Sequence, residues 1–256
     1  MDLFVLKLIA MLTMLADHVA VVFLSDYLPM RIIGRVAFIL YAFMMAESYR
    51  HLKDKPERIK AHLIKLAVLF LLSEIPYDLV RASKWFDPDR QNVILTLALG
   101  FSALAASGYL GKKLKNKGPA FPAGCILIWT AACLASYFLK SEYSFTGVLL
   151  IGGSYAFASV RDGMKPAARF CAATGVLALY LAFYIWSMSG FGSPDRFVVY
   201  SKLYSPYTLG TLAAVIPMAL YSGKKGYDSP AFRAVYSFFY PAQFCVLLLL
   251  KLAVSP

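Results

Sequence analysis

The sequence predicts an all-α polytopic membrane protein, a single domain over residues 1–256 built as a bundle of about nine transmembrane helices with a cytoplasmic N-terminus. The first observation is composition: 60% of the 256 residues are hydrophobic and 16% are charged, whereas an average soluble domain is ~45–50% apolar and ~25% charged. The second is that the apolar residues form long uninterrupted blocks, which a soluble core of this size could not hide.

The third observation is the charge balance. Lys and Arg number 26 against 14 Asp and Glu, a formal net charge of +12. In a membrane protein such a surplus collects in the cytoplasmic loops, so the composition excludes a disordered chain, a disulfide scaffold and a nucleic-acid-binding domain. The cysteines lie inside apolar runs without metal-ligand spacing, so we interpret them as packing residues and predict no metal site: Cys125, Cys133, Cys171 and Cys245.

A helix needs about 20 residues at ~1.5 Å each to cross ~30 Å of hydrocarbon. That length divides the chain into nine predicted spans, separated by proline- and glycine-containing breaks: 3–24, 29–50, 61–81, 92–110, 120–139, 143–160, 167–189, 206–222 and 231–252. The start of the chain has no basic n-region and its apolar run is too long for a signal peptide. The first segment is therefore predicted to remain as a span.

The loops that follow the even-numbered spans hold most of the basic residues. By the positive-inside rule these loops are cytoplasmic, which places the N-terminus inside and, with nine spans, the C-terminus outside. The third loop argues mildly against this orientation because it contains Arg81, Lys84 and Arg90.

Ionisable residues at membrane depth are costly unless they pair or face a polar cavity, so each is a functional candidate. Asp17 and His18 lie about six residues from the outer end of the first span, and Arg35 lies about six residues into the second. At ~1.5 Å per residue all three are roughly 9–10 Å below the outer boundary. An antiparallel hairpin therefore brings a carboxylate, an imidazole and a guanidinium to one level.

More polar residues are predicted in the same outer half. Glu74 and Asp78 are four residues apart near the end of the third span, as are Asn92 and Thr96 at the start of the fourth, so each pair shares a helical face. Glu142 and Tyr143 open the sixth span. His51 and His62 flank a charged loop and are interpreted as solvated or interfacial residues.

Adjacent residues on a helix point about 100° apart, so Asp17 and His18 cannot face the same partner. Lys7, Met11, Met14 and His18 form one face. We expect His18 to face a cavity and Asp17 to turn aside toward Arg35. The alternative is that Asp17 and Arg35 only fix the hairpin and that His18 is a satisfied core histidine.

Seven segments of the sequence resemble the TraX family of bacterial membrane proteins. They are, in chain order, LKLIAMLTMLADHVAVVF, RIIGRVAFILYAFMMAESY, LLSEIPYDL, NVILTLALG, EYSFTGVLL, IPMALYSGKKG and VYSFFYPAQFCVLL. The resemblance covers nearly the whole chain and implies a multi-pass protein of the bacterial plasma membrane. It departs at the closing motif, where Gln243 replaces the family's usual histidine, and at Ser222, which replaces an asparagine.

The resemblance implies acyl transfer from acetyl-CoA, because the family's namesake N-acetylates pilin in a conjugation system. On that reading His18 is the base or acyl carrier, Asp17 its carboxylate, and Arg35 or Asn92 stabilises the oxyanion. Cavity or substrate residues would be Glu74, Asp78, Asn92, Thr96, Tyr143 and Gln243. The acceptor could be a pilin amino terminus, another protein, a glycan or a lipid.

Two basic runs could bind the phosphates of coenzyme A or anchor to anionic lipid headgroups. KKLKNK covers residues 112–117 and GKKG covers 223–226. The glycines of GKKG allow backbone amides to approach an anion, so Lys224 and Lys225 are the predicted coenzyme A contacts.

A different class of protein also fits the intramembrane charges. A proton-coupled transporter or permease could use the same Asp, His, Arg and Glu residues as a relay, although the sequence has no visible inverted repeat. A non-catalytic subunit of a secretion or conjugation machine is the third possibility.

Overall fold

The computed structural model describes residues 1–24, 27–115, 118–189 and 194–254, apart from the side chains of residues 194–197 and 203. Within these ranges every regular element is an α-helix. The helices are α1 Leu3–Phe23, α2 Leu28–Leu52, α3 Pro56–Ala82, α4 Val93–Lys113, α5 Ala120–Phe138, α6 Ser144–Arg161, α7 Pro166–Met188, α8 Pro194–Ala213, α9 Val215–Leu220 and α10 Pro230–Val254. The all-α prediction is confirmed for this part of the chain.

Six of these helices are long and apolar enough to cross a membrane, namely α1, α2, α4, α5, α7 and α10. The helix α3 is long but carries Lys65, Glu74 and Asp78 around its apolar centre. Both of its acidic residues in this stretch are buried inside the bundle. Composition alone therefore supports a membrane protein with six candidate spans among the described residues.

The predicted eighth span, 206–222, is divided in the structure. The helix α8 ends at Ala213 and α9 begins at Val215. Pro217 accounts for the break, because proline has no backbone N–H to bond the carbonyl of residue 213 and its ring clashes with that carbonyl.

The helix α2 lies at the centre of the bundle, where it packs against α1, α3, α4, α6, α8 and α9. Its buried residues run from Gly34 to Tyr49. The helix α5 is peripheral, since it packs on α4 and α6 and buries only Ser136. Contact with α2 therefore determines which helices surround the interior of the bundle.

The first turn of α1 is bound to the segment that follows α9. The backbone N–H groups of Leu3 and Phe4 donate to the carbonyls of Lys224 (2.8 Å) and Lys225 (3.1 Å), and the Met1 ammonium donates to the Leu220 carbonyl at 3.1 Å. These bonds satisfy helix N-terminal donors that have no partner inside the helix. They also place Lys224 and Lys225 at the end of the bundle that contains Met1, called the Met1 end below.

The opposite end joins the α3–α4 and α5–α6 connections. The Gln91 N–H donates to the Lys140 carbonyl at 3.0 Å, and Arg90 pairs with Glu142 at 3.1 Å. The connection after α3 is therefore held against the start of α6.

A buried ion-pair network ties α2 to α6 at the Met1 end. Arg161 is fully buried, and its Nη1 lies 2.5 Å from Glu47 Oε1. Arg50 Nε lies 3.3 Å from the other oxygen of Glu47, and Arg50 Nη1 lies 2.7 Å from Asp162. The hydrogen bond from Arg50 lowers the pKa of the Asp162 carboxyl, which lies just beyond α6. The guanidinium of Arg161 also lies 4.7 Å from the Tyr221 ring, which extends the network to the segment after α9.

Glu47→Gln should lower the free energy of unfolding by about 3 kcal/mol, because it removes the buried counter-charge of Arg161 and leaves only the more exposed Asp162 carboxylate, 2.8 Å from Arg161 Nη2. Reversible unfolding in detergent measures the change. Asp54→Asn is the matched control, since it removes an exposed pair with Lys112 at the same end and should leave unfolding unchanged. Equal stability of the Glu47→Gln and wild-type proteins would contradict the structural importance of this network.

Candidate functional site

A cavity of about 410 Å³ lies between α1, α2, α3, α4 and α10. On α1 its lining extends from Leu3 to His18, and on α2 from Gly34 to Leu52. At ~1.5 Å per residue these stretches are roughly 22 and 27 Å long, against ~30 Å for the hydrocarbon core of a bilayer. The cavity therefore follows the bundle from the Met1 end to the level of His18.

His18 lies at the end of this cavity that is farthest from Met1. Its ring centroid is 4.6 Å from that of Phe244 and 6.0 Å from that of Tyr240. Its Nδ1 is buried and has no hydrogen-bond partner among the described residues. Packing therefore holds the ring in place while one ring nitrogen keeps its capacity to donate or accept a proton.

Asp17 also lines the cavity, and it pairs with Arg31 at 2.8 Å instead of the expected Arg35. The two helices meet at one level, because Asp17 lies six residues before the end of α1 and Gly34 six residues after the start of α2. A side chain at Gly34 would collide with Asp17. Arg31 and Arg35 are four residues apart and differ by only about 40° around α2. What separates them is the contact with α8, where Gly210 packs beside Arg35.

Arg35 instead lies at the contact between α2 and α8. Its guanidinium carbon is 5.1 Å from the Tyr207 ring centroid, and its buried Nε has no partner among the described residues. The helix α8 approaches closely because Gly210 packs against the Ile32 carbonyl. Arg35 is not among the residues that line the cavity.

The acidic pair of α3 and the residue that precedes α4 form a buried connection outside the cavity. Asn92 is the N-cap of α4, where its Oδ1 accepts from the Ile94 N–H at 2.9 Å, and its amide donates to Glu74 and to the Phe70 carbonyl. The Asp78 carboxylate accepts the N–H of Asp87 at 2.8 Å. These side chains hold α3, α4 and their connection together.

Thr96 and Tyr143 meet at the contact between α4 and the start of α6. The Thr96 hydroxyl donates to Ser141 Oγ at 3.0 Å and accepts from the Tyr143 N–H at 3.4 Å. The Tyr143 ring stacks on Phe38 with centroids 3.5 Å apart. Tyr143 lines the cavity and Thr96 does not. Gln243 is buried outside the lining, and its amide has no partner within the described ranges.

Basic residues surround the cavity at the Met1 end. Lys225 lines it and Lys224 does not, although both were predicted to bind the same ligand. The other cationic or titratable residues at this end were not predicted as site residues: Lys7, His51, His62, Lys65 and Arg233.

The helical spacing of the sequence indicated some of the residues that line the cavity. Lys7, Met14 and His18 of the predicted α1 face all line the cavity. On α3 the lining residues His62, Lys65, Leu66 and Leu69 repeat at three- and four-residue intervals, the spacing of one helical face. His62, interpreted as solvated or interfacial, is half-buried with Nε2 3.4 Å from the Met45 sulfur.

Double-mutant cycles test the pairing of Asp17. Asp17→Asn combined with Arg31→Gln should give a coupling free energy of about 0.5–3 kcal/mol, because the two side chains are in contact. The matched cycle of Asp17→Asn with Arg35→Gln should give a smaller coupling free energy, because Arg35 is not in ion-pair contact with Asp17. Unfolding in detergent provides all the values. The reverse order of the two coupling energies would show that Arg35 is the partner.

Comparison with known proteins gives a family over nearly the whole chain. The family model described as TraX protein matches residues 3–251. No curated protein and no solved structure matches the sequence. The family match includes α1, α2 and the cavity-lining part of α10, so the chain belongs to the TraX family.

Proposed function

We propose that the protein is a membrane acyltransferase that moves an acetyl or other short acyl group from acetyl-CoA to an acceptor at or across the membrane. The observation that carries the proposal is the cavity, whose lining extends from exposed basic residues at the Met1 end, which we take as its opening, to His18. A long donor with an anionic head fits this arrangement, because its phosphates can stay among the cations while its reactive end reaches the imidazole.

The proposed orientation places the Met1 end in the cytoplasm of a bacterial cell, with nine crossings of the plasma membrane. The ion pairs Arg50–Asp162 and Lys112–Asp54 bring the α2–α3, α4–α5 and α6–α7 connections to one end of the bundle. The backbone bonds of Met1 and Leu3 bring the α9–α10 connection to the same end. Concentration of basic residues at one end agrees with the positive-inside rule. A cytosolic donor would therefore reach the basic opening directly.

The proposed chemistry at His18 is proton transfer to and from the reacting groups. Acetyl-CoA supplies the acyl group as a thioester. As the acceptor nitrogen or oxygen bonds to the carbonyl carbon, its proton passes to a ring nitrogen of His18. When the carbon–sulfur bond breaks, the imidazolium returns that proton to the leaving sulfur, which balances the reaction. In the covalent variant, His18 carries the acyl group between two transfers.

Other groups near His18 have supporting roles in this proposal. Tyr143 lines the cavity and its hydroxyl can donate to the developing oxyanion. Arg35 and Asn92, which were expected to stabilise the oxyanion, lie outside the lining. The carboxylate of Asp17 is bound by Arg31, so its role is to fix the α1–α2 hairpin beside His18.

His18→Ala should abolish acyl transfer and change the unfolding free energy by no more than about 1 kcal/mol, because the imidazole supplies chemistry more than packing. Radiolabelled acetyl-CoA offered to protein in membranes measures the transfer. His51→Ala is the control, since His51 lines the same cavity at the Met1 end and should keep most of the activity. Wild-type turnover in His18→Ala would reject the mechanism, and substrate flux without label transfer would favour the permease.

The two lysines of GKKG provide a second test. Lys225→Gln should raise the KM for acetyl-CoA about three- to tenfold with kcat nearly intact. The reason is that Lys225 would stabilise the bound donor equally in the ground state and in the transition state. Lys224→Gln is the matched control, because Lys224 is equally exposed but does not line the cavity, and its KM should stay near that of the wild type. Equal KM values in both variants would contradict entry of the donor beside Lys225.

A further inference from the structure

The Met1 end of the cavity carries more positive than negative charge. Lys7, Lys65, Lys225 and Arg233 line it there. In the described part of the chain, only Arg233 of these four has a carboxylate within ion-pair distance, Asp228 at 3.2 Å. The lining carboxylate at this end, Glu47, is bound by Arg161 and Arg50.

Two of these cations have neutral contacts in place of counter-ions. The Lys7 ammonium lies 4.7 Å from the Tyr236 ring centroid and 5.7 Å from that of Phe232. The Lys65 ammonium donates to Ser237 Oγ at 2.5 Å. Tyr236 and Ser237 belong to α10, so both lysines point into the space between their own helix and α10.

The depth of these lysines makes the missing counter-charge expensive. Lys7 and Lys65 each lie four residues into their predicted spans, 3–24 and 61–81, roughly 6 Å from the span starts. Cations at such depth persist where they face an anion or a polar cavity. An anionic ligand in the cavity would supply what the protein lacks.

We propose that Lys7, Lys65, Lys225 and Arg233 together bind the phosphate groups of a 3′-phosphorylated nucleotide, the head of the acyl donor. This inference rests on the proposed function and extends it, because it places the head within the bundle among α1, α3 and α10 instead of on the surface loop alone. A phosphate monoester and a diphosphate together carry roughly four negative charges near neutral pH. Three lysines without a carboxylate partner among the described residues, together with Arg233, which Asp228 partly neutralises, offset most of that charge.

Equilibrium binding of adenosine 3′,5′-bisphosphate to the purified full-length protein tests the site without requiring acyl transfer. Lys7→Gln and Lys65→Gln should each raise the Kd about tenfold, the loss expected for one charge-assisted contact. Lys7→Arg should keep most of the affinity because the charge remains. Lys251→Gln is the control, since its ammonium donates to the Val80 carbonyl away from the cavity, and its Kd should equal that of the wild type.

The ligand series separates a nucleotide site from a general anion site. Coenzyme A should bind more tightly than dephospho-coenzyme A, and inorganic phosphate should compete only weakly. Kd values within twofold of the wild type in both Lys7→Gln and Lys65→Gln would overturn the proposal. Equal affinity for coenzyme A and its dephospho form would overturn the 3′-phosphate assignment.

The same measurements distinguish this inference from the proposed function. His18→Ala should bind the nucleotide like the wild type, because His18 lies at the other end of the cavity. Normal nucleotide binding in the lysine variants, together with an inactive His18→Ala protein, would reject the lysine site and leave acyl transfer standing. Lysine-dependent binding without any acetyl transfer would keep the site and reject the acyltransferase.

Discussion

The hydrocarbon of the bilayer requires each charged side chain at membrane depth to find a partner or a polar cavity, and the rest of this structure depends on that constraint. Where a partner is available, the charge serves to join helices: Asp17 with Arg31 joins α1 to α2, and Glu47 with Arg161 joins α2 to α6. Glu74 with Asn92 joins α3 to α4 in the same way. Of the described residues without such partners, His18, Lys7 and Lys65 line one cavity, whereas Arg35 packs on Tyr207 at the contact between α2 and α8.

Two different chemistries therefore occur at the two ends of a single cavity. The end near Lys225 is basic and adjoins the network of Arg161, Glu47 and Tyr221, which keeps the opening in place. The end near His18 is lined by the rings of Tyr143 and Tyr240, and Phe244 packs on the imidazole. Electrostatic attraction at one end and an available ring nitrogen at the other are what the acyl-transfer proposal requires.

The sequence predicted the helical class, most helix positions and the level at which Asp17 of α1 meets α2, because hydropathy and rise per residue determine them. It did not predict the contact between α8 and Arg35, so Arg35 was assigned to Asp17 in place of Arg31, which lies one turn away on α2. Glu74, Asp78, Asn92 and Thr96 were recognised as buried polar residues. The pattern could not show that Glu74 binds Asn92, that Asp78 binds Asp87 or that Thr96 binds Ser141, all outside the cavity. The basic opening was predicted only in part, since Lys65 and Arg233 reach it from helices that are distant in sequence.

A structure of the protein with coenzyme A bound tests the central claim most directly, because it locates both ends of the donor at once. The account predicts the sulfur beside the His18 imidazole and the phosphates among Lys7, Lys65 and Lys225, with the pantetheine arm along α2. Coenzyme A bound outside this cavity, or inside it with the sulfur directed away from His18, would contradict the account.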